Sequence, residues 1–167
     1  MSENGRLIDE KMVRFERLLP GPIERVWEFL TSGERIGEWF GQPGLEYIFE
    51  PREGGTIRLA DGHVRGVVTQ WKPPRRLTYT WNVFSLEDLE SRFPESYVAF
   101  ELEPQGEEVR LILTHRPMLE GFEGQTMMGW HTILDVIGAM LRGEEQEDRE
   151  MLYKRNGAIY GVKEIKR

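Results

Sequence analysis

The chain has no cysteine, which excludes disulfide staples, thiol nucleophiles, CxxC redox chemistry and cysteine-ligated zinc. Histidine is scarce: His63, His115 and His131 are all there are. They form no HxxxH or HExxH pair, so no metal site is expected. Gly54-Gly55 is a bend between strands without the following helix that phosphate binding requires, so no cofactor is expected. Nucleophilic triads and paired-carboxylate acid–base sites are not evident, and no catalytic residue is assigned. No apolar run approaches the roughly 18 residues of a membrane span. The segment Met1 to Arg6 carries no apolar signal core, and the expectation is a cytoplasmic protein without membrane insertion. Positive charge is also short. Lys and Arg number 22 against 29 Asp and Glu, a net charge of −7, and no basic cluster stands out. A nucleic-acid backbone would meet a repulsive field, and no such partner is expected.

What is present reads as one domain. A chain of 167 residues buries roughly 68–70% of its unfolded surface on folding, enough to do without staples. Val13, Phe15, Arg17 and Leu19 alternate with exposed positions, as a strand with one buried face does. Gly21-Pro22 opens a helix carrying Ile23, Val26, Trp27 and Leu30 at helical spacing. Ser32 caps a second short helix that ends at Trp39 or Phe40, before Gly41-Gln42-Pro43-Gly44. Six strand segments follow: Leu45 to Pro51, Thr56 to Ala60, His63 to Trp71, Leu77 to Phe84, Ser96 to Glu103 and Val109 to Arg116.

Asp61-Gly62 is a hairpin turn that pairs Ala60 with His63, Leu59 with Val64 and Arg58 with Arg65. Ile57, Leu59, Val64 and Val68 then share one face, while Arg58, Arg65 and Trp71 share the other. Two arginines directly opposite each other need solvent or a shared anion. Ser85 to Pro94 is a polar connection long enough to form a lid or loop. From Gln125 to Leu141 a long helix sets Met127, Trp130, Leu134, Ile137 and Leu141 on one stripe. Gly129 and Gly138 within it suggest a close approach to the sheet. The acidic run Glu144, Glu145, Glu147, Asp148, Glu150 reads as a solvated face. Met151 to Val162 is too apolar for a free tail, and is expected to dock on the domain or on a second copy, as a homodimer would allow.

The punctuating residues resemble a known family. Pro22 with Val26-Trp27, Trp39-Phe40, Phe49-Glu50-Pro51-Arg52-Glu53-Gly54-Gly55, Gly66-Val67, Pro73-Pro74-Arg75-Arg76-Leu77 with Trp81, Thr114-His115 and Gly129-Trp130 occur in order. Together they are similar to the START-like (SRPBCC, helix-grip) superfamily, in the branch named for the activator of the ninety-kilodalton heat-shock protein ATPase. The resemblance implies an α+β helix-grip fold. A curved antiparallel sheet of about seven strands wraps a long C-terminal helix, with two short helices after the first strand. The domain is expected over 11–142, with an N-terminal arm at 1–10 and an extension at 143–167.

The resemblance also implies a cavity between sheet and helix. Its candidate wall is Trp39, Phe40, Tyr47, Phe49, Tyr79, Trp81, Phe100, Leu113, His115, Met127, Trp130, His131 and Leu134, with Trp39 and Phe40 at the mouth or in the core behind it. His115 shares parity with Val109, Leu111 and Leu113 and is expected to face inward, as general base, ligand partner or core histidine. An aromatic pocket with few polar groups suits binding of a small, mainly hydrophobic molecule better than chemistry. Two alternatives stand beside it. One is an enzyme of the cyclase, aromatase or hydratase kind using His115 or His131 with Tyr79. The other is a co-chaperone-like interaction module, which the absence of a preceding chaperone-binding domain speaks against.

Overall fold

A computed structural model describes residues 3–8, 12–84 and 95–163. The connection from Ser85 to Pro94 lies outside the described residues, as does part of the N-terminal arm. The described elements are β1 (Arg6–Ile8), β2 (Met12–Pro20), α1 (Ile23–Thr31), α2 (Gly33–Phe40), β3 (Ile48–Phe49), β4 (Thr56–Leu59), β5 (Val64–Lys72), β6 (Arg76–Val83), β7 (Ser96–Gln105), β8 (Glu108–Arg116), α3 (Glu123–Arg142) and α4 (Arg149–Ile159). All pairs are antiparallel, in the order β1-β2-β8-β7-β6-β5-β4-β3. The long helix α3 packs on the face where every second residue is apolar. This is the α+β helix-grip arrangement that the sequence pattern points to.

Local chemistry accounts for the element ends. The Ser32 hydroxyl accepts from the Arg35 amide at 3.4 Å and caps α2, while Gly41 ends it at φ +102°, a left-handed conformation that glycine adopts without steric penalty. Between β4 and β5, Ala60, Asp61 and Gly62 all have positive φ. Beyond that turn Leu59 pairs with Val64 and Arg58 with Arg65, the register expected of Asp61-Gly62. Both arginines reach over the turn and donate to its carbonyls. Arg58 donates to the Asp61 carbonyl at 3.1 Å and Arg65 to the Gly62 carbonyl at 2.9 Å. The Arg65 guanidinium also lies 4.2 Å above the Phe84 ring.

Four expectations need correction. Trp71 faces the core and not the outside, because the register shifts between Val68 and Gln70. One extra residue there inverts the alternation of the rest of the strand. Trp71 therefore sits opposite Leu77 and packs 5.1 Å from the Trp27 ring. The strand expected over Leu45 to Pro51 shrinks to Ile48–Phe49, since Glu46 is tied to the turn. Its amide donates to Asp61 Oδ1 at 2.6 Å, and its carbonyl accepts from the Asp61 amide at 3.0 Å.

Third, the glycines of α3 do not approach the sheet. A side chain at Gly129 would meet open space, and one at Gly138 would meet Arg142 of the same helix. The close approach occurs at Gly157 on α4, where an added carbon would come within 3.1 Å of Met128 Sδ. Fourth, α3 is buried well beyond one stripe: Met128, His131, Thr132 and Val136 are covered as well. The cover is α4, which lies on the side of α3 away from the aromatic stripe. Leu152 and Asn156 are buried beneath it, and the Asn156 amide donates to the Thr132 hydroxyl at 3.1 Å.

Candidate functional site

The inward face of the sheet is built from register. One row runs straight across it: Val13, His115, Val98, Tyr79 and Val68 are successive cross-strand partners. The next row joins Phe15, Leu113, Phe100 and Leu77. Because neighbouring partners on one face come within about 5 Å, bulky residues in these rows must touch. Tyr79 and Phe100 lie 6.4 Å apart between ring centroids. Trp130 of α3 descends onto them, 6.0 Å from Phe100 and 5.3 Å from Trp81.

The aromatic cluster has a closed end and an open one. Tyr79, Phe100 and Leu113 are almost fully buried. Toward the surface, Trp81, Phe40, Tyr47 and Met127 are half-buried and pack on that core. Phe40 bridges Trp81 at 6.3 Å and Tyr47 at 5.7 Å. Phe49 closes the far flank, edge-on to Tyr79 at 6.0 Å. Charge reaches this continuous group at its Tyr47 edge, where Arg149 lines the same cleft.

His115 joins the cluster through hydrogen bonds that use both ring nitrogens. The Trp130 indole N–H donates to Nδ1 at 3.0 Å. Ser96 donates its hydroxyl to the Trp81 carbonyl at 3.0 Å, and that hydroxyl lies 2.8 Å from His115 Nε2. With the hydroxyl proton spent, Ser96 accepts from Nε2–H, which assigns the tautomer. The ring is only 5% exposed, and burial pulls its pKa down to about 3. A neutral imidazole with neither lone pair nor proton free cannot serve as general base without breaking this network. Its partners are two side chains, which makes it a core histidine. Burial also pushes the Tyr79 hydroxyl above its ordinary range, away from acid–base work near neutral pH.

The other candidates divide. Trp39 belongs to the core: it is 0% exposed, and its indole N–H donates to the Phe29 carbonyl at 2.7 Å. Phe40, next along the same helix, stands at the mouth. Leu134 is fully buried. His131 is not with the aromatic group at all. One position after Trp130 on α3, it turns toward β2 and α4, edge-on to Phe15 at 6.0 Å. Its Nδ1 lies 2.8 Å from the Tyr160 hydroxyl, and its Nε2 lies 3.6 Å from Asp135. His63 sits at the hairpin end, 2.9 Å from the Phe84 carbonyl. The three histidines thus occupy three separate places, and no group of three metal-binding side chains gathers among the described residues.

Ser96 was missed in the sequence. It opens a strand and faces Trp81 across the ladder, and its only signal is parity with Val98 and Phe100. Met118, half-buried beside the cluster, carries no periodic signal because it lies between elements.

Two surface clefts accompany the cluster without being lined by Tyr79, Trp81, Phe100 or Trp130. One, of about 620 Å³, lies outside α2 against Pro43, Leu45, Tyr47 and Arg149. The other, of about 440 Å³, lies between β2, α3 and α4 and includes Arg17, His131 and Asp135.

A family model described as Activator of Hsp90 ATPase homolog 1-like protein matches residues 20–142. No curated protein matches the chain in sequence. Among solved structures the chain is similar to CalU16 from Micromonospora echinospora, with 25% identity, 95% of this chain and 93% of that one covered, and a TM-score of 0.71. It is similar to a protein from Bordetella parapertussis with 26% identity, 99% and 92% coverage and a TM-score of 0.71. An Hsp90 activator from Plasmodium falciparum matches with 17% identity, 82% and 99% coverage and a TM-score of 0.68. At that identity the likeness is one of fold. No helix among the described residues is long and apolar enough to cross a membrane.

Proposed function

The chain belongs to the family of activator of Hsp90 ATPase homologue 1-like proteins, and from that premise we propose that it binds a small, mainly hydrophobic molecule at the open end of its aromatic cluster. The observation that carries this reading is the half-buried set Phe40, Tyr47, Trp81 and Met127, continuous with buried rings and touched by charge at its Tyr47 edge, where Arg149 lies. Exposed aromatic surface next to a preformed apolar wall gains free energy when an apolar partner covers it. The inner rings already touch one another, so the ligand stacks on Phe40 and Trp81 rather than filling a preformed hollow. Binding without chemistry is favoured because His115, the acid–base group nearest the rings, has both nitrogens engaged.

The test is titration with a panel of neutral aromatic and aliphatic probes, naphthalene derivatives among them, followed by tryptophan emission and melting temperature. Saturable binding is expected, weakened about ten-fold or more by Trp81→Ala or Phe40→Ala, as loss of one buried aromatic contact implies. A panel that gives no saturable response, or one indifferent to both substitutions, rules the reading out.

A further inference from the structure

The cleft between β2, α3 and α4 holds a polar group that no function assigned so far uses. Arg17 stands on the inward face of β2, in a position whose neighbours Phe15 and Leu19 are core. Its side chain is 7% exposed and pairs with Asp135 of α3 at 3.0 Å. Its Nε donates to the Glu3 carbonyl at 3.2 Å. The remaining nitrogen, Nη2, is buried with no hydrogen-bond partner. A buried guanidinium nitrogen left unpaired carries the full cost of its lost hydration. Asp135 meets Arg17 through Nη1 alone, its other oxygen receiving the Asn156 amide, and it does not reach Nη2.

Three further features describe what would fit. Leu18 and Ile159 line the same cleft and are 40% and 46% exposed, so it has apolar walls without a cover. Its outer part is acidic. Glu144 and Glu147 are matched by Arg142 at 2.7 Å and Arg155 at 2.9 Å, but Glu145 and Glu3, which also line it, have no ion-pair partner among the described residues. A simple anion would meet this field as repulsion. A single ordered water would satisfy Nη2, yet it would leave the apolar walls and the unmatched carboxylates without a role. Much of the cleft is built by β2 and α4, and α4 and Arg17 lie outside residues 20–142.

We infer that this cleft binds a small zwitterion. A carboxylate or carbonyl oxygen accepts from Arg17 Nη2, a short carbon chain crosses Leu18 and Ile159, and a protonated amine lies among Glu3 and Glu145. The site is separate from the aromatic mouth and stands or falls independently of it.

The experiment uses 5-aminopentanoate, pentanoate and pentylamine as probes of the full chain at fixed ionic strength. Binding is followed by nitrogen-15 NMR at the Arg17 Nε–H and the Asn156 and Gly157 amides. Saturable shifts are expected with 5-aminopentanoate, at an affinity at least about ten-fold above that for either singly charged probe. Arg17→Lys, which keeps a cation beside Asp135 and deletes the second donor, should lose this difference, and Trp81→Ala should leave it unchanged. Should Arg17→Lys fail to fold, Glu145→Gln on the open side must selectively weaken the two amine-bearing probes. The inference is overturned by absence of saturable shifts, by pentanoate or pentylamine binding as well as the zwitterion, or by a folded Arg17→Lys that binds like the parent.

Discussion

At the level of single residues, His115 is where the arrangement is most constrained. Its inward direction was readable from strand parity, because Val109, Leu111, Leu113 and His115 alternate without a break. Its chemistry was not, since Ser96 and Trp130 are 19 and 15 residues away and hydrogen bonds of that separation leave no local pattern. Replacing it with glutamine leaves the Trp130 N–H and the Ser96 hydroxyl in poorer geometry. Stability should fall by about 1–3 kcal/mol, the range for disrupted buried hydrogen bonds. The pH dependence gives a sharper check. The folded pKa of about 3 lies below the ordinary 6.5, so the unfolded chain takes up the proton first. The stabilisation is full above pH 6.5 and declines as pH falls toward 3, by up to about 1.4 kcal/mol per pH unit. Denaturant titrations from pH 7.5 to 4 should show a shallower acid slope for His115→Gln than for the parent. His131, also lowered chiefly by burial, adds slope to both proteins, so the difference between them isolates His115.

Elements show why part of the fold is legible and part is not. The strands and α3 follow from alternation and from the Met127-to-Leu141 stripe, since period alone decides which face is buried. The bulge in β5 does not, because no glycine or proline marks it. Val67, Val68, Thr69 and Gln70 read as ordinary strand, and the reversal that turns Trp71 inward is decided by what it packs on. Replacing Trp71 with alanine removes its ring contacts with Trp27 and Phe49. The expected outcome is a folded but weakened protein, down by roughly 2–4 kcal/mol for one large aromatic removed from the core, with near-ultraviolet circular dichroism reduced. Unchanged stability would mean that Trp71 contributes nothing to the core. The helix α4 escaped the sequence for a different reason. Its apolar residues form no single stripe, and what holds it is buried Leu152, Asn156 on Thr132, Gly157 against Met128, and Asp148 accepting from the Met151 amide at 3.2 Å. Such contacts are polar or close-packed and produce no amphipathic stripe.

For the whole molecule, the two ends of the sheet have different partners. Toward β6 the short helices and α3 meet around the aromatic mouth. Toward β2 the cover is α4 and the arm, linked at Tyr160, whose hydroxyl receives the Gly5 amide at 2.7 Å and lies 2.8 Å from His131. The start of α4 is fixed to α2 as well, with Arg149 donating to the Trp39 carbonyl at 3.1 Å. Removing everything after Gly143 should therefore reach beyond the lost helix. Amides of Arg6–Ile8 should exchange with solvent much faster, and uncovered Met128, Thr132 and His131 should make the protein self-associate in sedimentation. Unaltered protection at β1 would show that the arm holds to β2 unaided. The candidate sites are legible to different degrees for the same reason: the aromatic wall is written in strand parity, whereas the Arg17 cleft exists only once distant segments meet.

The bond from Gly5 to Tyr160 spans 155 positions of the chain. Closing so long a loop costs entropy that only an already assembled middle can offset. The two tethered ends are therefore expected to settle last as the protein forms and, on gentle warming or in mild denaturant, to detach together ahead of the sheet between them.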